Sequence, residues 1–568
     1  MDTAKQARDS GQFLLCLLGI NPAKNQTKPT KNQIRVDYLC LIVVCLGAGY
    51  LATLQGFESL PINADSLAPF EEAKSLIGNP KTHLFNIHVS RIASIFPDLT
   101  INTLLQVINP KAGFLEIFGL YAWCTSSLFL FLTTLLTNEI KSGKQTLTAD
   151  SIKVSLVTIS LLNISHQFNI AYSHFITPVH HGGNVLNTLF LLFLALQILR
   201  AQKPNGKSLI FTGLTFLAVL SNKVSIFTGV FPAVILFLLH LKGRQRRNQL
   251  INVVAATFAG VIVGSLFNEQ CAKPEFNLLG TFSALKQYFQ LSWITSASAL
   301  FSIASLLYSL RKKAQESGLP KQTSAGLIAI ALSSLSYFIY LPMLTSSGEA
   351  PLRYICIAYA LIVTFIVIYI NSVDRKFNTP VLVAMLIGTM ISFQHESRPV
   401  LNIANHQSLK QTLLERSESI EPFKSDAAKF VQKMGYSSYL GLGDYWMSST
   451  TLISNSRVQI IPIHQTGVPD FWGATPQDIR EQIKPLNRDK AYLLTDSDTF
   501  NEQFGRRYGL PTITWNYDNE TRQFTQDNID TNNRLLIYNN PKIYSKVRKK
   551  SKNFKRQCNP SLPNYSVR

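Results

Sequence analysis

Long apolar segments separated by short basic loops dominate the first 393 residues of the chain. A bilayer core about 30 Å thick requires about 20 apolar residues per helix. The pattern predicts eleven membrane spans, near 34–54, 113–136, 154–164, 184–199, 208–220, 224–241, 251–267, 291–310, 324–342, 354–370 and 379–393. Because 154–164 and 208–220 are too short to span alone, we expect them either to extend into neighbouring polar residues or to be broken helices.

Beyond residue 393 the pattern changes to short apolar runs that alternate with helical stretches. Strands are predicted at 438–442, 457–463, 491–495 and 533–538, and helices near 424–434, 445–454, 476–484 and 498–508. Such alternation is typical of an α/β domain. The predicted fold class is a polytopic α-helical membrane protein of about 11 transmembrane helices, followed by a C-terminal α/β domain.

Composition supports this division. Charged residues make up only 15% of the chain and apolar residues 46%, whereas soluble domains carry roughly 25% charged residues. The seven cysteines and the lack of a glycine period exclude a disulfide scaffold and a collagen. The net charge of +21 does not predict a nucleic-acid partner, because membrane proteins gather Lys and Arg in their cytoplasmic loops.

The basic residues also predict an orientation. Sixteen of them lie in the short loops on one side of the predicted spans, at 141–153, 200–207, 242–247, 311–321 and 375–376. Four lie in the short loops on the opposite side, namely Lys223, Lys273, Lys286 and Arg353. By the positive-inside rule the N-terminus is cytoplasmic. An odd number of spans then makes the α/β domain extracytoplasmic, in a multi-pass protein of the cell inner (cytoplasmic) membrane.

The domain organisation follows from these patterns. We predict a cytoplasmic segment at 1–33, a transmembrane domain at 34–393 with a large first outer loop at 56–112, an extracytoplasmic α/β domain at 394–545 and a basic tail at 546–568. Within the loop, the amphipathic segments 66–77 and 99–108 predict helices that lie along the membrane surface. The tail is interpreted as a disordered, solvated segment, with a patch for anionic lipid or polysaccharide as the alternative.

Four acidic residues of the first outer loop are candidates for chemistry. Asp65 lies where a lipid-bound substrate would present its head group, so its carboxylate is placed to take a proton from an attacking hydroxyl; the alternative is that it caps the helix 66–77. Glu71 and Glu72 are candidates for a second acidic role, although a solvated helix face explains them more simply. Asp98 is interpreted as a helix cap, with a secondary acidic role as the alternative.

Basic and imidazole side chains on the same side are predicted to bind a phosphate: His180, His181, Lys223 and Arg353. Arginine contacts a phosphate through two parallel hydrogen bonds, which suits a lipid phosphate at the membrane edge. For each residue alone, snorkelling to the interface is the simpler explanation. The histidine pair lacks metal-ligand spacing, so no cofactor is predicted; a divalent metal stays open, without a visible ligand set.

Several of these features together resemble one family, and the resemblance spans most of the chain. They are Asp65 in a long first outer loop with surface helices, Phe96-Pro97-Asp98, His180-His181-Gly182-Gly183, Arg353-Tyr354, and an outer α/β domain containing Gly443-Asp444-Tyr445-Trp446. The chain is similar to the polytopic type C (GT-C) membrane glycosyltransferases of bacteria, which use polyprenyl-phosphate-linked sugars. It departs from them at Ser66, where many relatives have a second acidic residue, and at Ser221-Asn222-Lys223, where some have Ser-Asp.

The resemblance implies an inverting transfer of a hexosyl or pentosyl group from a polyprenyl-phosphate donor. The acceptor would be a cell-envelope glycan, a lipid or a protein at the outer face of the bilayer. In this hypothesis Asp65 activates the acceptor hydroxyl, and His180, His181, Lys223 and Arg353 stabilise the departing phosphate. Two alternatives stay open: a transporter or flippase of lipid-linked precursors, and a non-enzymatic membrane anchor whose α/β domain binds a glycan or a partner.

Overall fold

A computed structural model describes most of the helical block and most of the α/β domain. The described segments are 31–57, 64–78, 94–140, 146–164, 166–178, 182–201, 206–267, 324–333, 422–444, 460–463 and 483–552, with single residues between them. The predicted spans 291–310, 354–370 and 379–393 lie almost entirely outside these residues. The predicted helices 445–454 and 476–484 do so as well.

The N-terminal block is helical throughout its described part. Its helices are α1 (Lys31–Gly56), α2 (Ala64–Gly78), α3 (Thr100–Ile108), α4 (Phe114–Ile140), α5 (Leu147–Ile164), α6 (His166–Ile176), α7 (Gly182–Ala201), α8 (Gly206–Ser221), α9 (Phe231–His240), α10 (Gly243–Phe267) and α11 (Ser324–Ser333). Two π-helical turns, Ile95–Leu99 and Ile226–Val230, precede α3 and α9. Helices α2 and α3 confirm the two helices predicted in the first outer loop.

Four helices of the described part are long and apolar enough to cross a membrane, at Asn32–Gly56, Phe114–Ile140, Gly182–Ala201 and Gly243–Ser265. The short segment 154–164 extends into polar residues, since α5 begins at Leu147. The loop assigned to 242–247 is wrong, because α10 begins at Gly243 and includes that basic cluster in its first turns. The helix formed by the apolar run 251–267 therefore extends toward its N-terminus through the largely polar residues 243–250.

Helix α1 packs closely against α4. A Cβ atom at Gly49 would lie 2.4 Å from Ser127 Oγ and 2.9 Å from Ser127 N, so only glycine fits there. Hydroxyl groups then connect the helices: Thr53 Oγ1 donates to Ser126 Oγ over 2.9 Å, and Tyr172 of α6 donates to the same oxygen over 2.8 Å. Small residues that allow close approach, together with interhelical hydrogen bonds, are typical of packing inside membranes.

The C-terminal domain has a six-stranded sheet covered by helices. Its elements are α12 (Pro422–Lys433), β1 (Leu440–Gly443), β2 (Ile460–Pro462), β3 (Lys490–Thr495), α13 (Asp498–Tyr508), β4 (Ile513–Asp518), β5 (Gln523–Thr525), β6 (Arg534–Asn539) and α14 (Pro541–Lys552). The strand order is β2-β1-β3-β6-β4-β5. Strands β1, β2 and β3 are parallel, whereas β6 is antiparallel to both β3 and β4.

The α/β character of this domain is confirmed, and two of its predicted features need correction. Strands β4 and β5 are absent from the sequence prediction because polar residues interrupt their apolar pattern. The interpretation of the basic tail as disordered is wrong for its first residues, since α14 continues to Lys552. Ile543, Tyr544 and Val547 bury one side of α14 against the sheet, and this burial stabilises the helix.

Candidate functional site

The turn Ile95–Leu99 joins three helices at one end of the helical block. Its backbone is held by the end of α8: Ser94 N donates to Ser221 O over 3.1 Å, and Phe96 N donates to Ser221 Oγ over 2.8 Å. From α7, Asn187 Nδ2 donates to Phe96 O over 3.1 Å. Ser94 adopts a left-handed conformation at φ 37°, which costs a non-glycine residue about 1–2 kcal/mol. Such strain is concentrated at functional sites.

Asp98 lies within this turn and is buried, with 2% of its surface exposed. Its Oδ1 atom accepts a hydrogen bond from the Tyr121 hydroxyl over 2.6 Å. The interpretation of Asp98 as a helix cap is wrong, because Leu99 occupies the cap position of α3. The carboxylate is instead an interior group, and a buried charge requires such hydrogen-bond donors around it.

The first turn of α7 packs directly on this carboxylate. A Cβ atom at Gly183 would lie 2.5 Å from Asp98 Oδ1 and 2.7 Å from Pro97 Cδ, so the helix can approach only with glycine there. At Gly182 a Cβ atom would lie 1.8 Å from Phe175 O. The positive end of the α7 dipole therefore faces Asp98, which stabilises a negative charge.

The segment Ser221-Asn222-Lys223 closes the other side of the turn. Asn222 Oδ1 accepts from Val224 N over 3.0 Å, which fixes the chain where it leaves α8. Lys223 is half-buried, and within the described part of the chain no carboxylate lies within 4 Å of its ammonium group. Its cation stands two residues from Ser221, the residue that holds the turn.

A buried network of hydrogen bonds connects α7, the segment that follows Lys223, and α11. Thr228, in the second π-helical turn, contacts Thr188 Oγ1 over 2.8 Å and accepts from Asn184 Nδ2 over 3.3 Å. Ser333 of α11 donates to Thr228 O over 2.6 Å. Ser225 also donates to Asn184 Oδ1. The network fixes α7, the turn after Lys223 and α11 in one arrangement.

Helix α2 brings the other acidic candidates to the same end of the block. Ala73 packs in a small apolar cluster with Ile95, Leu99 and Leu220. The interpretation of Glu72 as part of a solvated face is wrong, because only 1% of it is exposed, whereas Glu71 is half-buried. Asp65 lies in the first turn of α2, since the helix begins at Ala64.

The predicted phosphate-binding residues are described only in part. His180, His181 and Arg353 lie outside the described residues, and Lys223 lies within them. In the sequence the histidine pair directly precedes α7, and Lys223 follows the end of α8. Both of these helices contact the Asp98 turn.

Three residues of the site are absent from the sequence prediction: Tyr121, Asn187 and Ser221. Each is a polar group inside a predicted span or at its end, which is a signal for function in membrane helices. Asn184 and Asn187 are also three residues apart and therefore share a helix face. We call the assembly of Asp98, Tyr121, Gly183, Asn187 and Ser221 the Asp98 site. Among the described residues no group of three or more His, Cys, Asp and Glu side chains is arranged to hold a metal ion.

Comparisons with known proteins give matches in structure. No protein-family model matches the sequence, and no curated protein matches it. The solved structure of ArnT from Cupriavidus metallidurans, in the apo state, covers 90% of this chain and 99% of its own, with 10% identity and a TM-score of 0.47.

Two structures of an Archaeoglobus fulgidus oligosaccharyltransferase also match, each at 11% identity and a TM-score of 0.39. One is a complex with zinc and sulfate, and the other is tethered to an acceptor peptide containing the NVT sequon. Both cover 86% of this chain, and 72% and 74% of their own chains. All three TM-scores are below 0.5, so function is inferred from the residues of the site.

Proposed function

We propose that this protein is an integral membrane glycosyltransferase. It moves a sugar from a polyprenyl-phosphate donor to a cell-envelope glycan, lipid or protein at the outer face of the cytoplasmic membrane, with inversion at the anomeric carbon. The proposal follows the family resemblance of the sequence motifs. It assigns the N-terminus to the cytoplasm and the α/β domain to the outside, as the distribution of basic loop residues predicts.

The observation that carries the proposal is the convergence at the Asp98 site. Two motifs of the resemblance meet there through direct contacts, namely Phe96-Pro97-Asp98 and the glycine pair after the histidines. Ser221, in a segment where the chain departs from the family, holds the same turn. A transporter would instead have ionisable groups at broken helices near the bilayer midplane. A simple anchor would not need a buried carboxylate held beside a helix N-terminus.

The proposed reaction is a single in-line displacement at the anomeric carbon. Asp65 takes the proton from the acceptor hydroxyl as the new glycosidic bond forms and the bond to the phosphate oxygen breaks. Asp98 is too buried to meet the acceptor; we assign it a positioning role, because it fixes the start of α7 directly after His180 and His181. In the proposed mechanism the two imidazoles act on the departing phosphate.

The cations stabilise the negative charge that develops on the leaving phosphate. His180, His181, Lys223 and Arg353 are assigned this role, which raises the rate without covalent chemistry. A lipid phosphate is already a competent leaving group. The protein therefore has to supply orientation and charge more than bond activation.

The decisive test is Asp65→Asn in a deletion strain, with the envelope glycan profile as the measurement. Asp65 is the second residue of α2, where asparagine loses only the interaction of the charge with the helix dipole, about 0.3–1 kcal/mol. Asparagine cannot accept a proton, however, so transfer should fall about 10²- to 10⁴-fold. The matched control is Asp37→Asn at the start of α1. Asp37 accepts from the backbone amides of Leu147 and Thr148, so its role is structural. Near wild-type transfer by the Asp65 variant would refute its assignment.

A second test concerns the phosphate. Arg353→Lys keeps the charge but loses the planar fork that makes two parallel hydrogen bonds. The loss of one charge-assisted hydrogen bond, about 1.5–3 kcal/mol, lowers the rate roughly ten- to a hundredfold. The rate of sugar transfer from a purified lipid-linked donor in detergent is measured for Arg353→Lys and for the wild type. Full activity would reduce Arg353 to an interfacial anchor.

A further inference from the structure

The loop between α13 and β4 carries an unusually exposed apolar side chain. Leu510 is 91% exposed, more than any other large hydrophobic residue in the described part of the chain. It stands between Gly509, whose φ of +89° favours glycine, and Pro511. A single exposed leucine requires no explanation. Its surroundings, however, are not those of an ordinary surface residue.

Four basic residues lie in the two helices next to this loop: Arg506 and Arg507 at the end of α13, and Lys542 and Lys546 in α14. They are here called the basic collar. The Lys546 ammonium lies 5.3 Å from the centre of the Tyr508 ring. Asn540 fixes the two helices together, because its Nδ2 donates to Tyr508 O over 2.8 Å while its Oδ1 accepts from Lys542 N. The collar is therefore set by the fold and does not depend on a flexible tail.

The basic collar has an excess of positive charge. Within the described residues no carboxylate lies within 4 Å of Arg507 or Lys546. Partial burial and then the nearby Arg507 guanidinium lower the pKa of Lys546. Arg506 does pair with Glu502 over 3.6 Å, in a contact where both side chains are exposed. Like charges held together in this way favour an anionic ligand.

We propose that the loop Gly509–Pro511 is an interfacial membrane anchor: Leu510 inserts among lipid chains, and the basic collar contacts the phosphates of anionic lipid head groups. An apolar tip combined with basic residues is the chemistry by which protein segments bind anionic bilayers. An anionic polysaccharide would match the cations but would leave Leu510 in water. The membrane-spanning helices keep the domain near a bilayer, so weak contacts suffice through their high effective concentration.

This inference is independent of glycosyl transfer and is tested with the full chain in liposomes. A nitroxide spin label is attached at Leu510→Cys after Cys271 and Cys558 are changed to Ser, and the parent without the new cysteine measures background labelling. The matched control is Glu520→Cys, at the exposed turn on the other end of β4, about 20 Å away. Accessibility to oxygen, which dissolves in lipid, is compared with accessibility to a water-soluble nickel complex.

In liposomes with anionic lipid we expect the label at 510 to be accessible to oxygen and protected from nickel, with the reverse at 520. The double variant Arg507→Gln/Lys546→Gln, or purely zwitterionic lipid, should move the label at 510 toward water. A label at 510 that is as open to nickel as the control overturns the proposal. If the label at 510 inserts equally well in anionic and zwitterionic liposomes, the proposed role of the basic collar is wrong. Spin–spin coupling between copies would assign Leu510 to self-association instead.

Discussion

Each domain has an aspartate, within the part of the chain that the structure describes, that accepts a hydrogen bond from a tyrosine hydroxyl. In the helical block the distance from Tyr121 to Asp98 is 2.6 Å, and both residues are buried. In the α/β domain Tyr517 donates to Asp426 over 2.7 Å. The Arg522 guanidinium also donates to Asp426, over 2.9 and 3.2 Å, from a side chain that is 47% exposed.

The two pairs differ in what compensates the carboxylate. The Asp426 carboxylate is stabilised by the positive charge of Arg522 and by nearby solvent. Ion pairs that are exposed in this way contribute little to the stability of the fold. At Asp98 the Tyr121 hydroxyl donates over 2.6 Å and the start of α7 packs directly on the carboxylate. Both contacts lie in the interior, where the loss of one hydrogen bond also disturbs its neighbours.

The largest effect is expected for Gly183→Ala. The new Cβ atom would lie 2.5 Å from Asp98 Oδ1 and 2.7 Å from Pro97 Cδ, so α7 and the turn must separate. Such overpacking costs about 1–3 kcal/mol, and we expect transfer to be lost with it. Thermal unfolding in detergent and the envelope glycan profile measure the two effects.

Gly213→Ala is the matched control for this prediction. Gly213 lies in α8, and no atom stands within 4 Å of where its Cβ would be. Alanine there should be neutral or stabilising by about 0.5–1 kcal/mol, because glycine is a poor helix former. Equal behaviour of the two variants would show that the close approach of α7 to Asp98 has no functional importance.

The sequence predicts the elements of the helical block better than its site. Apolar stretches locate α1, α4 and α7 because each span must contain enough apolar residues to cross the bilayer. The buried contacts of Asp98 depend on which helix faces which, and a single sequence does not contain that information. The sequence therefore indicates the motif that contains Asp98. Its partner Tyr121 lies in an apolar run, where nothing in the pattern indicates a contact with Asp98.

In the α/β domain the sequence predicts some strands and not others. The apolar runs of β1, β3 and β6 predict central strands because these strands are buried. Strand β4 was missed, since its pattern is half-polar. Lys546 was assigned to a disordered tail by its charge, but Ile543 and Val547 pack on the sheet and make the segment helical. Burial of a few apolar residues outweighed the basic composition.

A smaller effect on glycan transfer than that of Gly183→Ala is expected for Tyr121→Phe. It leaves the shape of the site unchanged but removes one hydrogen bond to a buried carboxylate, a loss of about 1.5–3 kcal/mol. Tyr172→Phe is the matched control, because the Tyr172 hydroxyl is equally buried but donates to the neutral Ser126 Oγ; there the expected loss is about 0.5–1.5 kcal/mol. Unfolding titrations in mixed micelles measure the loss in the free energy of unfolding for both variants. Equal losses would mean that Asp98 is not held as a charge.

The smallest effect is expected for Tyr517→Phe in the α/β domain. Burial, and then the neighbouring Asp426 carboxylate, raise the pKa of Tyr517 to about 12, so the phenol is a neutral donor at physiological pH. When that donor is removed, Asp426 keeps both hydrogen bonds from Arg522, and no buried charge is left uncompensated. We therefore expect a loss of about 0.5–1.5 kcal/mol, below that of Tyr121→Phe, and unchanged glycan transfer. The same micelle titration provides the comparison. If Tyr517→Phe were as costly as Tyr121→Phe, the greater burial of Asp98 would make no difference to its hydrogen bond with tyrosine.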